Sequence, residues 1–211
     1  MRMIARIPVR YVALALTVAI LAPFVPATNA EAAMTLTFST SPVLGTLPGI
    51  TLSGGKQTTT ATTTLNHFAV TSSGTPNIGW NMTVASVTGT GKSSVFKEYC
   101  PNTTCGTDSG PGYVTGGYTL PADSLTLDTA AASITGSGAT KPTFQCNTSP
   151  FCDVDTTTQT KIVSATFASS LTTWTSSGNS TLSLTTPANL HKLQTGETYR
   201  VDLLWTLSTG P

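Results

Sequence analysis

Three features of this 211-residue sequence predict a nearly all-β protein: a single sandwich or barrel-like domain with long loops, preceded by a signal peptide. Short apolar–polar alternations recur along the chain, and period-two spacing puts alternate side chains on one face of a strand. Thr and Ser supply most of the polar positions, and the branched Cβ of Thr favours extended backbone. Gly (18) and Pro (13) punctuate the alternating segments, and many short strands with turn signals between them build sandwiches or barrels. No helix-period segment of useful length and no fixed-period repeat follows the leader. Aliphatic and aromatic residues at strand spacing argue against a disordered, mucin-like stalk.

The leader carries Arg2, Arg6 and Arg10 and no acid. An apolar run from Tyr11 to Phe24 follows, broken by Pro23 and Pro26, and Ala30-Glu31-Ala32 supplies the A-x-A pattern of signal peptidase. Residues 1–32 therefore read as a signal peptide and residues 33–211 as the mature domain, with cleavage after Ala30 nearly as good. The run falls short of the roughly 20 residues of a spanning helix, so no stable membrane span is expected after cleavage. Removing Arg2, Arg6, Arg10 and Glu31 turns 10 basic and 9 acidic residues into 7 and 8. A near-neutral protein with only 9% charged residues has no basic field to attract nucleic acid.

The strands are expected in this order. Leu36 and Phe38 alternate with Thr, Ile50-Thr-Leu52 follows Pro-Gly, and a Thr-rich stretch from Lys56 to Thr64 leads into Leu65–Val70, which carries His67. Residues 71–77 form a polar hairpin turn. Ile78, Trp80, Met82 and Val84 then share one face. Gly89–Gly138 reads as long loops around short strands such as Ser124–Leu127, and contains Tyr113 and Tyr118. Val163, Ala165 and Phe167 resume the alternation, and Thr181–Leu184 is another short strand. In the last strand Tyr199, Val201, Leu203, Trp205 and Leu207 share a face, with Leu204 the exception.

The four cysteines fall into two close pairs, Cys100/Cys105 and Cys146/Cys152. In an exported chain these read first as disulfides, and pairing between sequence neighbours is the simplest of the three connectivities. A four-cysteine zinc site is the sharper alternative, but the spacings are loose and export disfavours thiolate ligands. No metal or cofactor is expected.

Catalytic motifs fail one by one. Gly89-Thr-Gly-Lys-Ser93 looks like the end of a phosphate loop, but Ser86 stands where the motif needs glycine, so a turn is expected. His67 and His191 lack an accompanying nucleophile elbow. Asp153 and Asp155 form a D-x-D whose calcium-loop continuation fails at Thr157 and Thr158. Glu98, Asp108, Asp123 and Asp128 are too scattered to suggest a glycosidase pair. Four glycosylation sequons begin at Asn81, Asn102, Asn147 and Asn179, and matter only in a glycosylating host. The protein is not expected to be an enzyme.

The terminal segment carries Tyr199, Leu203, Trp205, Leu207 and Pro211 in the spacing Y-x3-L-x-W-x-L-x3-P. It resembles the distal signature of the WxL domain. The proximal W-x-L motif of that family corresponds to Trp80-Asn-Met82, with Met82 in place of Leu at similar volume. The cysteine loops are not part of the family pattern. The resemblance implies a β-rich domain on Gram-positive cell surfaces that binds the wall non-covalently, with peptidoglycan as receptor. The sequence has no L-P-x-T-G sorting signal, no apolar C-terminal tail and no cysteine at the leader junction, which also makes non-covalent attachment the expectation. The alternative is a structural or adhesive subunit that assembles with other cell-surface proteins through strand edges. Trp80 and Trp205 sit on apolar faces and read first as core residues, with a sugar platform as the sharper reading. Trp174, flanked by polar residues on both sides, is the expected exposed, ligand-contacting ring.

Overall fold

The structure, a computed structural model, describes residues 34–63, 65–74, 78–138, 140–166 and 172–210. The signal peptide, residues 75–77 of the expected turn, Phe167 and Pro211 lie outside the described residues. In chain order, the first half contains β1 (Thr35–Thr40), β2 (Gln57–Thr63), a 3-10 turn (Leu65–His67), β3 (Ala69–Ser73), β4 (Trp80–Ser86) and β5 (Lys97–Cys100). The cysteine-bearing middle adds β6 (Thr104–Cys105), β7 (Asp108–Ser109), β8 (Gly112–Tyr113), β9 (Leu125–Asp128), β10 (Ala132–Thr135), β11 (Thr143–Phe144) and β12 (Cys152–Asp153). The last quarter holds β13 (Thr160–Ala165), β14 (Thr173–Gly178), β15 (Ser180–Thr186), β16 (Thr198–Arg200) and β17 (Leu203–Thr209).

The protein is nearly all-β, as expected, and its sheets do not close into a barrel. Three four-stranded sheets have the orders β1-β3-β14-β10, β11-β13-β4-β17 and β12-β9-β15-β2. A three-stranded sheet, β16-β5-β8, and the β6-β7 pair stand beside them. Every strand pairing is antiparallel. All three larger sheets contribute to one hydrophobic core, through Val70 and Trp174 from the first, Trp80 and Met82 from the second, and Leu127 and Leu182 from the third.

Alternation decides which side chains enter that core. On β15 the inward set is Ser180, Leu182, Leu184 and Thr186, while Thr181, Ser183 and Thr185 face outward. On β14 the inward set is Trp174 and Ser176, and the ring of Trp174 lies against Gly136. A Cβ at Gly136 would sit 2.4 Å from that ring, so the close approach requires glycine.

Four expectations are corrected. Leu65–Val70 is not one strand: Leu65 and His67 have φ of 49° and 45°, which bends the chain into the 3-10 turn before β3 begins at Ala69. Ile78 precedes β4 and is exposed, so the inward face there starts at Trp80. Ile50–Leu52 belongs to an irregular connection between β1 and β2 rather than to a strand. The last alternating segment divides at Val201-Asp202, where the Asp202 backbone bonds to Ser93 and Val87, so β16 pairs with β5 and β17 with β4.

Candidate functional site

The two segments that carry the sequence signature are neighbours. β17 runs antiparallel to β4, with Leu207 opposite Met82, Trp205 opposite Val84 and Thr209 opposite Trp80. Trp80 and Met82 are sealed in the core, and Leu207 packs against it. Of the other signature residues that the structure describes, Tyr199, Leu203 and Trp205 line a cavity of about 740 Å³.

Several parts of the chain line this space. Leu182 and Leu184 of β15 form one wall, and Leu203 and Trp205 of β17 another. The roof is the β1–β2 connection, which turns Leu44 and Leu47 inward. Tyr99, His191, Glu197 and Arg200 add polar atoms to the lining.

The three tryptophans therefore differ. Trp80 is 1% exposed and Trp174 0%, whereas Trp205 is half-buried on the cavity wall. The expectation that Trp174 is an exposed ligand contact is overturned. Its polar neighbours Thr173 and Thr175 point the other way, and Ser176 shares its buried face, so local polarity hid a core position.

A rim of aromatic and charged groups adjoins the cavity. Tyr118 is exposed and stacks on His191 at 3.7 Å between ring centroids, with the planes 15° apart. Buried Glu98 organises this pair. One carboxylate oxygen accepts the Tyr118 N–H at 2.9 Å, and the other lies 3.8 Å from His191 Nε2. On the other side, the Arg200 guanidinium sits 4.6 Å above the Tyr99 ring and donates to Asp202 at 2.8 Å. Asp202 also accepts the Tyr113 hydroxyl and the Ser93 N–H. Comparison with protein-family models, curated proteins and solved structures finds no match to this chain.

The electrostatics of the rim favour fixed binding groups. Burial pushes the Tyr199 hydroxyl up to about 12, helped by the negative charges of Glu98 and Glu197. Burial also raises Tyr113, and its bond to Asp202 adds to the effect. Both phenols stay protonated at neutral pH and act as hydroxyl donors. Burial alone would raise Asp202, but the bonds from Tyr113, Ser93 and Arg200 outweigh it and hold the carboxyl below its usual range.

Other sequence candidates resolve into structural roles. Both disulfides form between sequence neighbours, Cys100–Cys105 and Cys146–Cys152, with Cα separations of 5.6 and 5.2 Å. Two disulfides fit an oxidising compartment. Asp155 is buried, and its carboxylate accepts the N–H groups of Ser124 and Leu125 at 3.0 and 2.9 Å. Asp153 lies in β12, paired with Thr126. Among the described residues no group of three or more His, Cys, Asp or Glu side chains is arranged to hold a metal. Gly89–Lys92 closes as a tight turn, in agreement with the sequence. Only His191 of the two histidines lines the cavity. The Tyr118–His191 stack had no sequence signal, because its members are far apart in the chain and outside any alternating segment.

Proposed function

We propose that this protein is exported and attaches non-covalently to the bacterial cell wall, with peptidoglycan as its ligand and no catalytic step. The observation that carries the reading is the placement of the signature residues. The proximal and distal segments pair as adjacent strands, and Tyr199 and Arg200 of the distal region lie beside an exposed aromatic rim in which Tyr118 stacks on His191 and Arg200 covers Tyr99. An exposed ring such as Tyr118 offers a flat face to sugar C–H groups, while nearby hydroxyl and guanidinium groups supply hydrogen bonds. The disulfides agree with life outside the membrane.

The test is co-sedimentation of the mature protein with sacculi stripped of protein and teichoic acid. Retention above that of an unrelated β-rich protein is expected, with little dependence on salt, since few charge pairs are available to screen. Tyr118→Ala, an exposed substitution, should reduce retention without lowering the melting temperature. Retention equal to the control protein rejects wall binding by this chain.

A second reading, a structural or adhesive subunit of a surface complex, is favoured by β2. This seven-residue strand is the outer edge of its sheet and contains neither Lys nor Pro to discourage further pairing. Retention that appears only when another surface protein is added selects this reading.

A further inference from the structure

We propose that the cavity beneath the β1–β2 connection binds the linear aliphatic chain of an amphiphile, a ligand class distinct from the wall glycan. Its volume of about 740 Å³ lies within the usual range for small-molecule sites, which are concave and mostly apolar. The lining is dominated by branched aliphatic side chains from separate parts of the chain: Leu44 and Leu47 above, Leu182 and Leu184 to one side, Val201 and Leu203 to the other. Such walls conform to a flexible chain and offer no polar partner along its length. A sugar placed among them would leave its hydroxyls without hydrogen bonds, at a cost for each one.

The polar groups sit where a head group needs them. Lys192 lines the cavity and forms no ion pair among the described residues. Its ammonium is a donor suited to the oxygen of a small polar head such as a carboxylic acid or an alcohol. Specificity therefore rests on the chain, and the head is secondary.

The roof supplies an entry route. Among the described residues, no backbone–backbone hydrogen bond ties residues 42–55 to any sheet. Apolar packing of Leu44, Leu47 and Ile50 holds the segment down, with one side-chain hydrogen bond, from Gln57 Nε2 to the Thr51 carbonyl at 2.9 Å, near its β2 end. Lifting it exposes side chains but breaks no strand ladder, and segments held this way open at low free-energy cost. The occupant restores the same apolar contacts when the roof closes.

The test exploits the three tryptophans. Trp205 lines the cavity while Trp80 and Trp174 are buried in the core, so a heavy atom on the ligand chain quenches one class of emission. The mature protein is titrated with bromine-tagged dodecanoic acid and, separately, bromine-tagged dodecanol, both below their micelle concentrations. Saturable partial quenching is expected for both, with affinities within about threefold of each other. Unlabelled dodecanoic acid should reverse it. Leu47→Phe, which fills the space from the roof without adding a second cavity tryptophan, should weaken binding by roughly tenfold or more. Leu184→Phe repeats that test from the opposite wall, should either variant fail to fold. Absence of saturable quenching overturns the proposal, as does quenching by the acid alone or equal affinity in a folded cavity-filling variant. Sacculus retention is measured on the same variants, so failure of chain binding and failure of wall binding remain separate results.

Discussion

The β4–β17 pair joins two differently finished regions of the molecule. Around Trp80 the interior is closed by hydrogen-bonded strands, and Trp80, Trp174, Phe68 and Met82 are all 1% exposed or less. Around Leu203 the β17 member of the pair borders a cavity, and the cover is an irregular segment held mainly by leucines rather than by a ladder. Strand closure satisfies backbone groups and side-chain packing together, so it leaves little room for movement. Closure by a loop satisfies packing alone and can be undone locally. The first region specifies the fold, and the second is where a ligand can enter.

Substitutions should separate the regions. Trp174→Ala is expected to have the largest effect, about 3–5 kcal/mol of lost stability, because a fully buried aromatic leaves a void that strands cannot collapse to fill. Urea unfolding measures it, and a loss near 1 kcal/mol or less would place the ring outside the closed core. Next comes the Cys146–Cys152 bridge. Replacing both cysteines by Ser should cost about 3 kcal/mol, since Cys146 also belongs to the main hydrophobic cluster. The same change at Cys100 and Cys105, buried but outside that cluster, should cost somewhat less, about 2 kcal/mol, most of it the loop-closure contribution. Melting of the two double variants, compared with each other, checks the order. Trp205→Ala should cost roughly 2 kcal/mol, less than Trp174→Ala because the ring is half-buried and already faces empty space. Equal losses for the two tryptophans would erase the distinction between the regions.

The smallest effect concerns acid. Asp202 joins β16 to β17 beside the cavity, and its folded pKa lies below the usual 3.8. Its contribution is therefore present above about pH 4 and is lost as pH falls through the lower folded value. Asp155, raised by burial despite its bonds from Leu125 and Ser124, acts in the opposite direction. Its charged form opposes folding at neutral pH, and that penalty disappears as pH falls through the raised folded value toward 3.8. Asp153, also raised by burial, acts like Asp155, so the Asp202 contribution is read by difference: the urea midpoint of the wild type should exceed that of Asp202→Asn at neutral pH, and the gap should close as pH falls below about 4.

Much of the fold was legible because strand periodicity is local. Trp80, Met82 and Val84 on β4, and Leu182 and Leu184 on β15, face inward as their alternation requires. The close cysteine spacings likewise favoured the pairing observed. Failures arose where the deciding contact is distant. The polarity of Thr173 and Thr175 suggested that Trp174 is exposed, but Gly136, in a separate segment, provides the space against which its ring packs. The Tyr199–Leu207 alternation is continuous in sequence, yet the Ser93–Asp202 bonds divide it between two sheets. The apolar residues of the β1–β2 connection suggested a short strand at Ile50–Leu52 because hydrophobicity alone does not distinguish a strand from a roof. The Tyr118–His191 stack depends on buried Glu98, and no single segment contains all three residues.

The short spans of the two disulfides have a consequence for survival among proteases. Residues 101–104 and 147–151 are exposed, and each stretch lies entirely between bonded cysteines. Exposed loops of this kind are preferred sites of nicking. A cut at Phe151, or anywhere else within either stretch, would leave the two pieces of chain covalently joined. Both strands flanking the nick would stay anchored, and the clipped molecule would migrate as a single species until reduced. The bridges therefore protect continuity at two points where the backbone is exposed, a form of durability independent of folding free energy.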